Sequence, residues 1–201
     1  MPERTKDELL LKRAGDGDQA AFLEIYERHR LPVFRFAYRL LGTVEAAEDV
    51  THDCFVSLIR NTSNFDPSRA SLRTYLFAAA RNLAMKQFRI TGREDSLDEL
   101  TEEPAFSSKH EPLRMVLDEE LATKVRDAVM SLPALQREAL VLFEYEDLSL
   151  SEIADITQSD VGAIKGRLFR AREGLKRILR PYLNPSSELN SRREIVTLRE
   201  A

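Results

Sequence analysis

Seven cations, Lys165, Arg167, Arg170, Arg172, Lys176, Arg177 and Arg180, crowd the stretch VGAIKGRLFRAREGLKRILR against a single acid, Glu173. The whole chain carries a formal net charge of -4, so this concentration is local. Guanidinium and ammonium groups at such density suit charge-assisted hydrogen bonding to a polyanion. The remaining reactive residue types offer little else. One cysteine, Cys54, excludes an internal disulfide, and His29, His52 and His110 are too scattered to form a ligand cluster. His52 and Cys54, two positions apart, face different ways on a helix. No phosphate-cradling glycine loop, nucleophile elbow or zinc-protease helix is present, and the seven glycines are dispersed. The sequence thus points to no catalytic residue, no metal ligand and no cofactor.

The cations need an element that aims them. Val161, Ile164, Leu168, Ala171, Leu175 and Ile178 step by 3, 4, 3, 4 and 3, the seam of an amphipathic helix, so the basic residues flank or oppose a buried face. Upstream, Ser149 and Glu152 have the spacing of a capping box, and Ile153, Ala154 and Ile156 mark a short amphipathic helix. Thr157, Gln158 and Ser159 make a tight turn, with Ser159 capping the basic helix. Helix, short turn and basic helix is the helix-turn-helix plan, whose second helix enters a DNA major groove. Lys165 and Arg167 then meet base edges or adjacent phosphates, while Arg170, Arg172, Lys176 and Arg177 suit phosphates.

Helical spacing recurs almost everywhere and alternating strand runs are missing, which predicts an all-α protein. Its first lobe runs from about Asp7 to Arg93. Asp18 caps a helix carrying Phe22, Ile25 and His29, and a second helix from Pro32 uses Val33, Phe36, Ala37, Leu40 and Leu41 before Gly42 stops it. Thr43 caps a third, with Ala47, Val50, Cys54 and Leu58 inward and Glu45, Glu48, Asp49 and His52 outward. After the loop NTSNFDPSRAS, a fourth buries Leu72, Leu76, Ala79 and Leu83 and turns Arg81, Asn82, Met85 and Arg89 away. Pro67 to Arg93 holds six basic residues and no acid. Glu94 to Glu120 then holds ten acids against Lys109 and Arg114, which reads as a flexible linker. The second lobe starts near Asp118. Leu121, Val125, Ala128 and Leu132 line one helix, Pro133 breaks it, and Leu135, Ala139, Leu142 and Phe143 line the next. No run of about 18 apolar residues exists to cross a bilayer, and the N-terminus lacks a signal peptide's apolar stretch, so a cytoplasmic protein is expected.

The segment LPALQREALVLFEYEDLSLSEIADITQSDVGAIKGRLFRAREGLKRIL resembles region 4 of a bacterial extracytoplasmic-function (ECF) sigma factor. AGDGDQAAFLEIYERHRLPVFRFAYRLLGTVEAAEDVTHDCFVSLIR followed by FDPSRASLRTYLFAAARNLA resembles region 2 of the same family, in the family's order. The resemblance implies two helical domains, 1–93 and 118–183, joined by the acidic linker 94–117 and followed by a polar tail, 184–201. It implies a subunit that brings core RNA polymerase to particular promoters and helps to melt them, without chemistry of its own. The implied partners are the polymerase β′ clamp helices and β flap, promoter DNA and an anti-sigma factor. Residue by residue, Glu48, Asp49 and Asp53 match the surface that meets the clamp helices. Asn64, Ser71, Tyr75, Arg81, Asn82, Lys86 and Arg89 match the part that opens and reads the -10 element, where unpaired DNA calls for aromatic and cationic side chains. Ser159, Lys165, Arg167, Arg170 and Arg172 match the -35 reader. Tyr75 stands where the family often has tryptophan and either stacks on a base or belongs to the core. Gln158 replaces a common glycine, so either a non-glycine residue accepts φ > 0 or the turn differs. Gly166 replaces a common serine and loses one phosphate hydrogen bond. The tail is either disordered or ends in a short helix, SRREIVTLRE. A two-domain response regulator would need an N-terminal α/β receiver, and an enzyme with a DNA-binding appendage would need catalytic residues.

Overall fold

The structure is a computed structural model that describes residues 3–91 and 118–183. The acidic linker and the polar tail lie outside them. Every regular element among the described residues is helical: α1 (Glu3–Gly15), α2 (Gln19–Leu41), α3 (Val44–Arg60), a 3₁₀ turn (Thr62–Asn64), α4 (Leu72–Thr91), α5 (Asp118–Met130), α6 (Ala134–Glu144), α7 (Leu150–Thr157) and α8 (Val161–Leu183). The elements from α1 to α4 form a front lobe and those from α5 to α8 a rear lobe.

Local chemistry sets most of the helix ends. Asp18 accepts a hydrogen bond from the Ala21 amide at 3.1 Å, and Thr43 caps α3 through Ala46. Gly42 ends α2 at φ +83°, a conformation that glycine adopts without strain. A Cβ there would also lie 2.5 Å from Met130 Cε, so the rear lobe closes on the same residue.

The two helices expected on either side of Pro32 are one. Ala21, Ile25, His29, Val33, Phe36 and Leu40 keep a continuous buried stripe through the proline, and this packing outweighs the lost backbone bond. Asp7 on α1 secures the middle of that stripe, with its Oδ2 2.9 Å from His29 Nε2 and its other oxygen held by Arg28. Phe36 meets Phe77 of α4 edge-on at 5.3 Å, both fully buried. Truncating either to alanine is expected to cost about 3–5 kcal/mol.

Helix α4 departs from its expected face. Leu72, Leu76, Phe77, Ala80, Ala84 and Phe88 are its buried apolar residues, with Thr74 buried beside them, whereas Ala79 and Leu83 are half-buried. The rear lobe is the reason, because α7 packs on α4 in addition to α2 and α3 of the front lobe, so α4 is covered from two directions. In the rear lobe α5 ends at Met130, and Leu132 is buried beyond it. Leu135 is half-buried, while α6 buries every residue from Gln136 to Leu142 and is therefore enclosed nearly all round. Val161 begins α8 and stands 37% exposed, outside the seam formed by Ile164, Leu168 and Ala171.

Candidate nucleic-acid interface

The helix-turn-helix is built by two caps and one strained residue. Ser149 and Glu152 complete a reciprocal capping box at the start of α7. Gln158 closes α7 in the left-handed region at φ +53° and ψ +41°, so a non-glycine residue does accept that conformation. The cap of α8 is Asp160, which accepts the Ala163 amide at 2.8 Å. Ser159 is not the cap, since its hydroxyl turns back to the Thr157 carbonyl at 3.4 Å. A carboxylate one residue nearer the helix reaches the exposed amide that a hydroxyl at 159 does not.

Along α8, Lys165 is exposed while Arg167 and Arg170 are half-buried. Arg172 lies over the Phe143 ring and donates to Glu144 Oε1 at 2.6 and 3.1 Å. The basic helix thus presents Lys165, Lys176 and Arg177 to solvent and holds Arg172 at its flank. At Gly166 an added Cβ would meet only the Arg170 guanidinium, its nitrogens at 3.6 Å, an ordinary contact, so a larger residue fits there.

The second cationic surface is the outer side of α4. Asn82, Lys86 and Arg89 are exposed and share a face by their 4 and 3 spacing. Asn64 is exposed in the 3₁₀ turn. Ser71 caps α4, accepting the Thr74 amide at 3.1 Å with its hydroxyl 2.8 Å from Thr74 Oγ1. Tyr75 is half-buried and meets Phe65 edge-on at 5.6 Å. Burial pushes its hydroxyl pKa up. The core reading of Tyr75 therefore describes its packing here.

Arg81 does not point to solvent as its register implied. Its side chain is 16% exposed, and Nε donates to Glu138 Oε1 of α6 at 2.5 Å. Arg73, one α4 stretch earlier, donates through Nη2 to the Glu146 carbonyl at 2.8 Å and to Glu146 Oε2 at 3.3 Å. Arg39 reaches Glu146 Oε1 at 3.4 Å. Glu138 and Glu146, 0% and 5% exposed, are important residues that sequence reasoning missed. The sequence signal was slight: Glu138 falls at helical spacing between Leu135 and Leu142 on the apolar side of its helix, and Glu146 lies three residues beyond the apolar run ALVLF.

On the far side of the front lobe, Glu48, Asp49 and Asp53 are exposed on α3. Glu48 lines a cleft of about 470 Å³ with Tyr26, Leu31, Phe34 and His52. Leu31, 48% exposed on α2, is an apolar part of this surface that charge counting did not find.

The acidic and the two cationic surfaces fall on segments with known counterparts. "Sigma-70 region 2" matches residues 25–94 and "Sigma-70, region 4" matches residues 122–175. The RNA polymerase sigma-H factor of Pseudomonas aeruginosa is 30% identical over 191 residues, covering 91% of this chain and 98% of its own length. The ECF RNA polymerase sigma factor SigW of Bacillus subtilis is 30% identical over 178 residues, covering 85% and 95%. Among solved structures, CnrH in complex with the cytosolic domain of CnrY is similar with a TM-score of 0.64 and 26% identity, over 87% of this chain and 97% of that one. The sigma factor RpoE of Bartonella quintana, solved with the anti-sigma factor NepR, gives a TM-score of 0.60 and 25% identity, over 79% and 96%. With both regions matched in order and near full-length relatives at this identity, the chain belongs to the sigma-70 family and is an ECF-type alternative sigma factor for promoter-specific transcription.

Proposed function

We propose that this chain works as three surfaces on two domains, 1–93 and 118–183, with 94–117 as the connection between them and 184–201 as an appended tail. The acidic side of α3, through Glu48, Asp49 and Asp53, meets the β′ clamp helices of core RNA polymerase, with the cleft beside it, lined by Leu31 and Phe34, completing the contact. The α4 side, with Asn64, Ser71, Tyr75, Arg81, Asn82, Lys86 and Arg89, handles the -10 element. Positive charge there follows the phosphates of the melted strand. The rear domain meets the β flap and sets α8 into the -35 major groove, where Lys165 and Arg167 lie nearest the base edges and Arg170 and Arg172 take phosphates. Ser159 acts from the turn beside the groove. The protein performs no chemistry and acts in the cytoplasm; among the described residues no helix is long and apolar enough to cross a membrane. An anti-sigma protein is its expected regulator, as the partners in the two similar solved complexes suggest.

The observation that carries this reading is the order of charge along the matched regions: acidic α3, then cationic α4, then cationic α8. Run-off transcription with purified core polymerase tests it. Transcripts from a defined promoter set are expected only when this chain is added. Reconstituted holoenzyme that starts no transcript at any genomic promoter removes the reading.

A further inference from the structure

Between α2 and α5 the lobes leave a cleft of about 760 Å³, inside the range of about 300–1,000 Å³ typical of small-molecule sites. Gly42, Val125, Val129 and Met130 supply its apolar lining. Three arginines line it as well: Arg35 and Arg39, one helical turn apart on α2, and Arg126 from α5. Arg39 is engaged within the protein, since it reaches Glu146 Oε1 at 3.4 Å and lies over the Tyr145 ring at 4.4 Å. Arg35 and Arg126 are exposed and make no hydrogen bond or ion pair among the described residues. Asp127 is the one acid on the lining, so the cleft carries a surplus of positive charge.

A guanidinium fork takes phosphate oxygens two at a time, and a tyrosine ring offers its face to a nucleobase. Both kinds of group meet in this cleft. Tyr145 is 41% exposed, and the Arg39 guanidinium against its ring holds the ring in place. Tyr38, also on the lining, is half-buried and stacks along Phe34 at 6.1 Å. We infer that the interlobe cleft binds a nucleoside triphosphate, with Arg35 and Arg126 on its phosphates and its base against Tyr145. The charge balance suits this ligand, because a neutral molecule of the same size would leave the surplus of arginines uncompensated. The apolar lining suits a base and sugar better than it suits a bare phosphate chain. Arg35 comes from the front lobe and Arg126 and Tyr145 from the rear, so the complete site belongs to the whole chain. This site lies apart from Asn82, Lys86 and Arg89 of α4 and from Lys165 of α8, none of which lines the cleft.

The test uses the full chain without polymerase, so its result is independent of the sigma-factor reading. Isothermal titration calorimetry reads binding of ATP, GTP, CTP and UTP in turn, and of pyrophosphate as the phosphate part alone. At least one triphosphate is expected to bind, one per chain, with a Kd below about 1 mM. Pyrophosphate is expected to bind about tenfold more weakly, having no base to stack. Arg35→Gln/Arg126→Gln is expected to weaken the triphosphate about tenfold or more, as the loss of charge-assisted bonds does. Arg35→Lys/Arg126→Lys keeps the charge and is expected to recover part of that affinity, which a misfolded variant would not do. Tyr145→Ala is expected to weaken the triphosphate and leave pyrophosphate no weaker. Lys12→Gln/Arg60→Gln removes the same charge at exposed positions outside the cleft and is expected to change nothing. Failure of all four triphosphates to bind, or undiminished affinity in Arg35→Gln/Arg126→Gln, overturns the site. Pyrophosphate bound as tightly as the triphosphate overturns the nucleotide assignment. An equal loss in the Lys12/Arg60 control reduces the effect to net charge and overturns it as well.

Discussion

Gln158 offers a direct measure of strain in the helix-turn-helix. At φ +53° its Cβ crowds the backbone, which costs an L residue about 1–2 kcal/mol. Its side chain is exposed and makes no hydrogen bond among the described residues, so replacement removes no contact. The turn bonds are backbone bonds, including Ser159 N–H to the Ala154 carbonyl at 3.0 Å, and survive any substitution that keeps the conformation. Glycine relieves the strain but brings extra freedom to the unfolded chain, which opposes the gain by about 0.5–1 kcal/mol. Gln158→Gly should thus stabilise by about 0.5–1 kcal/mol. For a chain of this size that raises Tm by about 1–4 °C. Thermal and urea melts followed by far-ultraviolet circular dichroism provide the assay, with an unchanged urea slope expected because the surface exposed on unfolding is the same. Gln158→Val should move the midpoint the other way, since a β-branched side chain tolerates this region worst. A lower midpoint for Gln158→Gly would refute the strain argument.

Three further outcomes are expected. Asp160→Ala should destabilise by about 1 kcal/mol through loss of the α8 cap while Asp160→Asn keeps nearly all of it, as denaturant melts will read. Arg172→Ala should change stability by less than about 1 kcal/mol, its pair with Glu144 being partly exposed, yet lower the salt slope of -35 duplex binding by about one unit in holoenzyme titrations. Burial raises the Cys54 thiol pKa to about 12, so at mildly alkaline pH a disulfide reagent should label the native chain only at the rate at which the core opens, and fast labelling without denaturant would contradict the placement.

Elements whose instructions are local are legible in the sequence. Asp18, Gly42, Thr43 and the Ser149–Glu152 box sit where capping chemistry put them, and the Ile164–Leu168–Ala171 seam follows from spacing alone. The exposed acids of α3, the exposed Asn82, Lys86 and Arg89 of α4 and the exposed Lys165, Lys176 and Arg177 of α8 were equally readable, because each lies away from an apolar stripe and no other element covers it. What escaped depended on a neighbour distant in sequence. Pro32 reads as a boundary until the stripe from Ala21 to Leu40 is packed on both sides of it. Arg81 reads as a solvent-facing cation until Glu138 arrives from α6. Spacing puts Glu138 inward but does not announce that the rest of the polar side of α6 is buried, since its enclosure is supplied by the front lobe. Asp160 displaced Ser159 as the cap through a one-residue difference that composition does not resolve.

Met130 seated against Gly42 has a genetic consequence. Any side chain at position 42 faces backbone strain at φ +83° and, as a smaller cost, must push aside the flexible end of a methionine from the other lobe. The smaller cost is conditional on the occupant of position 130, whereas the strain is not. The two sites are therefore epistatic. Gly42→Ala should be slightly less harmful in a Met130→Ala background than alone, yet never neutral. Suppression at that level, partial and confined to shortened side chains at 130, is the inheritance pattern that a helix stop shared with an interlobe contact leaves in a population of variants.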